Sequence, residues 1–466
     1  MFIASAALIA TGCDKDFEEI NTTGNNALVT DPNLLLTASI ITTQNVMYNS
    51  QIGGDMGLCW AQQWSKVQYN DEEKYIPRRE QMTALWDNMY YNVIKEAKDA
   101  YSLAGAIVPD ANTHLQAVSL VIQANAFQIL TDVYGPVPFA EFGSDKPAYD
   151  SQEQVYNGIL AMLDEAEAKF ANGNGDFTAS ADLLYGGDLA KWRKFAASLK
   201  LKALMRISDK RNVSADVQAL VDSGLLFSSN ADSAQLIFMP NLPDANPIHE
   251  VIVGQNRKEY KVSSVLVSTM NTLNDPRLSV FAELNNAGQY VGNIPGEENS
   301  GSQEAFSGIG AFYLAATSPG VFLSYAQVEF YLAEAINEGI IVGTIDDAKA
   351  HYVNGINANF TFNQLTPSAA YTSSAAVDFT TQAEAREKIA TQMWLALYGQ
   401  GIESWTEWRR TQYPVLSPVV DAATTYIPRR FYFSTDEPFV NQASYASAAA
   451  SLANGDTMES KVWWMN

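Results

Sequence analysis

The chain has 466 residues, enough for about two to three domains and a large core. Charged residues make up 17% and apolar ones 47%, which excludes a disordered chain, and 29 Lys+Arg against 52 Asp+Glu leave a formal charge of −23. So acidic a body repels phosphate backbones and argues against a nucleic-acid partner.

The first element is an apolar lead, MFIASAALIATGC, which gives way at once to Asp14, Asp16, Glu18 and Glu19. It falls well short of the roughly 20 residues that span a bilayer. Residues 1–12 are expected to be the apolar part of a signal peptide ending in small residues and removed from the mature chain. No Lys or Arg precedes the run, so a longer signal sequence is expected upstream of Met1. Ala10-Thr11-Gly12-Cys13 resembles a bacterial lipobox, with Ala10 where Leu is usual. Cys13 is thus expected to carry a diacylglycerol, and two acyl chains suffice for stable membrane attachment. The only other cysteine is Cys59, which permits at most one disulfide, and with His114, His249 and His351 scattered no zinc-ligand spacing arises.

Helical periodicity dominates the rest. The runs 36–48, 84–104, 114–134 and 154–170 read as helices, followed by 192–207, where Trp192, Phe195, Ala196, Leu199, Ala203 and Ile207 share one face. Asp188 is placed to cap that helix, and its opposite face carries Arg193, Lys194, Lys200 and Lys202, expected to pair with acids on neighbouring helices. Further helices are predicted over 324–339, 346–360 and 385–411. The pair from Ser324 to Phe360, with a Gly-containing turn between Glu338 and Asp346, reads as one tetratricopeptide-type hairpin, and small residues such as Ala333, Ala335 and Ala348 allow close approach. The whole is expected to be a stacked-helix scaffold with degenerate repeats.

Two stretches break this texture. One, residues 53–80, separates the first two helices; the other covers about 238–320 and is rich in turn residues. Long irregular loops in a compact domain are functional or disordered, and the Trp and Tyr here argue against disorder. Aromatic faces stack on sugar rings while Asn and Gln bond hydroxyls, although nine Trp and 22 Tyr also suit a large core, which is the first reading on composition alone. The sequence holds no Gly-x-Ser-x-Gly elbow, no His-Glu-x-x-His, no phosphate-binding Gly-rich loop and no EF-hand loop. An enzyme stays open only through carboxylate pairs whose separation sequence cannot give.

The blocks TDVYGPVPFAE (131–141), YGGDLAKWRKFAASLKLKALMRIS (185–208), NDPRL (274–278), SYAQVEFYLAEA (324–335), QMWLALYGQGIESWTEWRRT (392–411), IPRRFYFSTDEPFVN (427–441) and VWW (462–464) follow in order the pattern of the SusD/RagB family. The chain most resembles its SusD-like branch. The resemblance implies an all-α, tetratricopeptide-like scaffold with long loop-rich insertions, forming a single domain over 13–466. Its helical parts cover about 34–235 and 321–412, its ligand-facing loops about 236–320, and its C-terminal tie 413–466. It further implies a surface lipoprotein of the Gram-negative outer membrane, without catalytic activity or cofactor. Such proteins cap a SusC-like TonB-dependent transporter and capture glycans, or in some members peptides; the acids after Cys13 resemble surface-export tags. An all-helical glycoside hydrolase and a purely protein-binding scaffold are the competing readings.

Within this frame TDVYGPVPFAE reads as architecture, its glycine and prolines ending a helix and extending the backbone. Arg409 and Arg410 are expected to pair with acids such as Glu403 or Glu407, and IPRR with Glu437 and Asn441 to form a buried polar tie. The family's ligand contacts lie in variable loops, so the expected contacts here are aromatics of the two irregular stretches. These are Trp60, Trp64, Tyr69 and Tyr75 in the first, and Tyr290, Phe312 and Tyr313 in the second. Trp60 and Trp64, four apart, can share a helical face, which makes burial of that pair nearly as good a reading as display. Gln63, Gln68, Asn70 and Asn293 are the expected hydroxyl partners.

Overall fold

Side-chain caps mark out the scaffold. The protein is described by a computed structural model over residues 30–465; Cys13 and the acids behind it lie outside the described residues. Asp31 accepts from the Asn33 N–H to start α1 (Pro32–Met47), which a π-helical stretch (Ser50–Leu58) and a short strand β1 (Trp64–Lys66) follow. α2 (Arg79–Asp87) then runs through a second π-helical stretch (Asn88–Ile94) into α3 (Lys95–Gly105). Asn112, Ser151 and Asp188 cap α4 (Thr113–Tyr134), α5 (Gln152–Asn172) and α6 (Leu189–Arg206). Gly135, at φ +85°, ends α4 in a conformation that glycine alone takes freely.

The loop-rich middle holds α7 (Ser214–Ser223), β2 (Ala234–Leu236), β3 (Tyr260–Val262), α8 (Ser264–Leu273) and β4 (Gly320–Leu323). Helices resume with α9 (Tyr325–Asn337), α10 (Ile345–Phe362), α11 (Gln382–Ala396) and α12 (Gly401–Thr411), and α13 (Gln442–Ser451) lies in the C-terminal segment. Complete capping boxes begin α5, α9, α10 and α11. The fold is all-α; among the described residues the strands form the antiparallel pairs β1–β3 and β2–β4, with isolated bridges such as Ser263–Asn293 besides. α3, α4, α5 and α6 pack in succession, α9 packs on α10 and α11, and α6 meets α9. The expected hairpin from Ser324 to Phe360 is α9–α10.

α6 shows how one sequence face specifies this packing. Trp192, Phe195, Ala196, Leu199, Ala203 and Ile207 are all buried, each large apolar group contributing about 1.5–3 kcal/mol. The opposite face pairs with acids as expected: Arg193 with Glu167 and Lys200 with Asp164 on α5, Lys194 with Asp232, and Lys202, which is buried, with Glu403 on α12.

The arginine ties differ from expectation in detail. Arg410 does bond Glu407 (2.9 Å) and Glu334, but Arg409 takes no acid. It donates to the carbonyls of Arg429 (2.7 Å) and Asp132 (2.8 Å) and lies 3.7 Å over the Trp405 ring, because Glu403 and Glu407 are already engaged by Lys202 and Arg206. Likewise Arg430 pairs with Asp456 (2.7 Å) rather than Glu437, which accepts from Tyr149 instead (2.7 Å). Asn441 donates to the Pro147 carbonyl and, as expected of this tie, to Glu437 (3.3 Å). The C-terminal segment is tied down all the same: Arg430 bonds the Tyr134 carbonyl and the Trp464 indole bonds Asp132.

Candidate functional site

Backbone chemistry joins the two irregular stretches into one face. β1 and β3 pair with Trp64 opposite Val262 and Lys66 opposite Tyr260. The ladder continues beyond them, from Val67 N–H to the Glu259 carbonyl (3.0 Å) and from Ser263 N–H to the Gln63 carbonyl (3.0 Å). The later loop is sewn on by Asn299 N–H to the Val67 carbonyl (2.8 Å), Asn70 Nδ2 to the Gly296 carbonyl (3.0 Å) and Asn293 Nδ2 to Ser65 Oγ (2.9 Å). Three non-glycine residues of the first stretch, Gln62, Tyr69 and Tyr75, adopt positive φ of 53°, 54° and 69°. Each such residue carries conformational strain, and surrounding structure must hold it.

The expected aromatics divide into one displayed on this face, two half-buried and four in the core. Tyr69 is 64% exposed, with the Arg257 guanidinium 5.9 Å from its ring centre. Tyr290 and Phe312 are half-buried; Phe312 packs edge-on against Tyr313 (5.1 Å) and Phe362 (5.7 Å). Trp60, Trp64, Tyr75 and Tyr313 are core residues, and a ring with no accessible face cannot stack on a ligand from solvent. Trp60 is fully buried between Trp405 (5.2 Å) and Phe431 (5.5 Å) and donates to the Glu72 carbonyl. Trp64 lies on β1, not on a helical face shared with Trp60, and donates to the Tyr398 hydroxyl (3.0 Å). The Tyr75 hydroxyl accepts from Val419 N–H, and Tyr313 meets the Tyr398 ring at 4.7 Å while bonding Asn363. Trp64 and Tyr313 do line one cavity, with Tyr48 and Tyr398, but its volume of about 20 Å³ suits a single water rather than a sugar ring.

The expected hydroxyl partners follow the same division. Gln63, Asn70 and Asn293 are buried and bonded to protein, Gln63 to the Trp394 carbonyl, so they build the face rather than line it. Gln68, beside Tyr69, is half-buried. Sequence reasoning missed Arg257, whose approach to Tyr69 depends on the β1–β3 register. The exposed apolar side chains of Ile76, Leu284 and Ile294 were also passed over, there being no helical period in these stretches to separate inside from outside.

Beneath the face lies a set of buried charges. Asp55 pairs with Lys66 (3.2 Å), Glu72 with Arg78 (2.7 Å) and Glu259 with Arg257 (2.5 Å), while Glu73 Oε2 accepts from the Lys66 main-chain N–H (2.9 Å). Burial pushes the Asp55 and Glu72 carboxyls up and takes Glu73 to about 7. Among the described residues no group of three or more His, Cys, Asp or Glu is placed to hold a metal ion, and no helix is long and apolar enough to cross a membrane.

Residues 24–434 match the model of a family described as starch-binding and associating with the outer membrane. The chain belongs to the SusD-like family. No curated protein sequence matches it. Among solved structures it is similar to a chitin-binding protein (27% identity, TM-score 0.83, covering 93% of this chain and 100% of that one). It is also similar to a chitin-binding SusD homolog from Flavobacterium johnsoniae (25%, TM-score 0.79, 93% and 96%). A SusD homolog from Bacteroides fragilis NCTC 9343 shares the fold (24%, TM-score 0.81, 94% and 99%). The SusD-like scaffold thus carries the joined loops, and Tyr69 is their most exposed expected aromatic.

Proposed function

We propose that this SusD-like protein is a non-catalytic glycan-capturing lipoprotein of the outer-membrane surface. It is held there through Cys13 and delivers oligosaccharides to a SusC-like TonB-dependent transporter. The observation that carries the reading is the Tyr69 ring, displayed on strained backbone that two loops hold in place, in a family described as starch-binding. An immobilised aromatic face loses little entropy when a sugar ring stacks on it. Tyr290 and Phe312 are the further proposed contacts. Two similar solved structures are of chitin-binding proteins, and the formal charge of −23 disfavours acidic polysaccharides, so the cargo is a neutral glycan of the starch or chitin class.

Isothermal titration with maltoheptaose and with chitohexaose tests this. One of the two is expected to bind, and Tyr69→Ala to weaken it about tenfold, the equivalent of about 1.4 kcal/mol, with the melting temperature unchanged. Binding of neither sugar sinks the glycan reading, and steady release of reducing ends sinks the non-catalytic one.

A further inference from the structure

The buried charges under the loop face do not balance. Four carboxylates, Asp55, Glu72, Glu73 and Glu259, are almost wholly buried, and three cations form ion pairs with them; Lys261 of β3, buried as well, is drawn to Glu304, Glu283 and Glu259 and not to Glu73. Lys66 takes Asp55, Arg78 takes Glu72 and Arg257 takes Glu259. Glu73 is the odd acid. It is fully buried, its Oε2 is met by a neutral main-chain N–H, and its Oε1 has no hydrogen-bond partner. A buried carboxylate without a counter-ion strongly favours either a proton or water.

Its position gives that choice a consequence. Glu73 sits in the turn after Asn70 and bonds β1 through Lys66; Asn70 holds Gly296 of the later loop. Burial outweighs every group that draws the Glu73 carboxyl back toward its ordinary range: the Lys66 N–H, the Ser65 hydroxyl, the Gly296 main chain and, least of these, the Lys66 ammonium, which is already paired with Asp55. The other titratable groups around it are accounted for. Asp55 and Cys59 come from the π-helical stretch and its end, Lys66 from β1, Glu72 and Tyr75 from the same turn with Arg78 outside it, and Glu259, Tyr260 and Arg257 from the β3 side. Glu297 follows Gly296 on the later loop. Cys59 and Tyr75 are both held neutral by burial, and neither neutralises Glu73.

We propose that Glu73 is a proton-operated latch between the two loops: neutral, it holds the 70–75 turn against β1 and residues 293–299, and ionised, it draws water in and loosens them. The effect on cargo, firmer capture on the acid side of neutrality, rests on the glycan reading above. The latch itself does not.

Hydrogen exchange of the mature chain across pH 5.5–8.5, corrected for intrinsic rates, reads the latch without a ligand. Opening exposes a carboxyl that titrates near 4.5 rather than near 7, so protection over residues 62–76 and 291–299 is expected to fall about 30-fold across that range. The α9–α10 hairpin serves as the internal control. Glu73→Gln is expected to remove most of the fall, and superimposable profiles in variant and wild type overturn the latch. Should the variant fail to fold, carbon-13 NMR of glutamate-labelled wild type decides. A side-chain carboxyl titrating near neutrality, together with the protection change, supports the latch; glutamates all ionised by pH 5.5 overturn it. Maltoheptaose and chitohexaose titrations in the same buffers keep the two ideas apart. A titrating latch with no sugar bound sinks capture alone, and sugar bound equally at every pH with flat protection sinks the latch alone.

Discussion

Composition leads single aromatic residues to opposite fates in this chain, and what separates them is where the polar end of the ring can go. The Trp64 indole N–H finds Tyr398 inside the core and the Trp60 N–H finds the Glu72 carbonyl, so both rings can be buried without an unmet donor. Tyr69, only five residues from Trp64, is turned outward by its left-handed backbone. Trp64→Ala should therefore cost about 3–5 kcal/mol of stability, as for large core aromatics, whereas Tyr69→Ala should change it by no more than about 0.5 kcal/mol. Urea unfolding of the two variants checks this, and equal midpoints would refute the division into core and face. The sequence offered Tyr69 as a displayed ring and left Trp60 and Trp64 almost evenly between core and face, but it could not separate the two cases. The partners of Trp60 and Trp64 lie 12 and 334 positions away, and the register that brings Arg257 to Tyr69 belongs to a strand pair 196 residues apart, Ser65 opposite Lys261. Residue-level roles were readable only where both partners fell on helical faces, as with Arg193 and Lys200 on α6.

Helices announced themselves far better, because caps and periodicity are local. Asp188 before α6, the Ser324–Gln327 box before α9 and the Thr381–Glu384 box before α11 are all short-range signals. The π-helical stretch Ser50–Leu58 does have a local cap, Asn49 accepting from the Gln51 and Ile52 N–H groups, but its pattern Ser-Gln-Ile-Gly-Gly-Asp-Met-Gly-Leu has a turn-like composition that hides it. Gly54 lies under the Trp64 and Tyr260 rings, while Gly53 and Gly57 meet the start of α12. A Cβ at Gly401 would lie 1.8 Å from the Gly53 carbonyl oxygen, and one at Gly57 would lie 2.4 Å from the Gly401 carbonyl carbon, so the two elements cross in direct backbone contact. This places the end of the first loop's leading helix against the block ESWTEWRR and orients the stretch that carries Tyr69. Gly401→Ala is expected to destabilise by about 3 kcal/mol or more, the upper end of overpacking, while Gly301→Ala, with nothing within 4 Å of the added Cβ, is expected to be neutral. Thermal melts of the pair compare them directly; a Gly401→Ala protein as stable as the wild type would show that the crossing can yield.

At the scale of the whole molecule, buried carboxyls decide how stability depends on pH, and they pull in two directions. Burial raises Glu407, but Arg206 and Arg410 outweigh it and hold the carboxyl at about 2, while Arg277 lowers Asp275 against its own burial. For these, folding is favoured above the ordinary value near 4.5 or 3.8, and the contribution is lost as pH falls through the lowered value. Glu73 has the opposite sign: raised from 4.5 to about 7, it contributes fully below 4.5 and the contribution, about 3 kcal/mol, is lost as pH rises to about 7. Asp55, Glu72 and Asp132 are raised in the same sense by burial. The formal charge of −23 acts with them, since self-repulsion grows as the carboxylates ionise. The melting temperature is therefore expected to peak at about pH 4.5–5.5, to fall by a few degrees toward pH 8, and to fall steeply below about pH 3 as Glu407 and Asp275 lose their ion pairs. Differential scanning calorimetry in overlapping buffers measures the curve. Glu73→Gln should shrink its alkaline limb and leave the acid limb in place, because the arginines that lower Glu407 and Asp275 are not among the groups acting on Glu73; a melting temperature that climbs steadily to pH 8 would contradict the assignment of Glu73 as the unpaired acid.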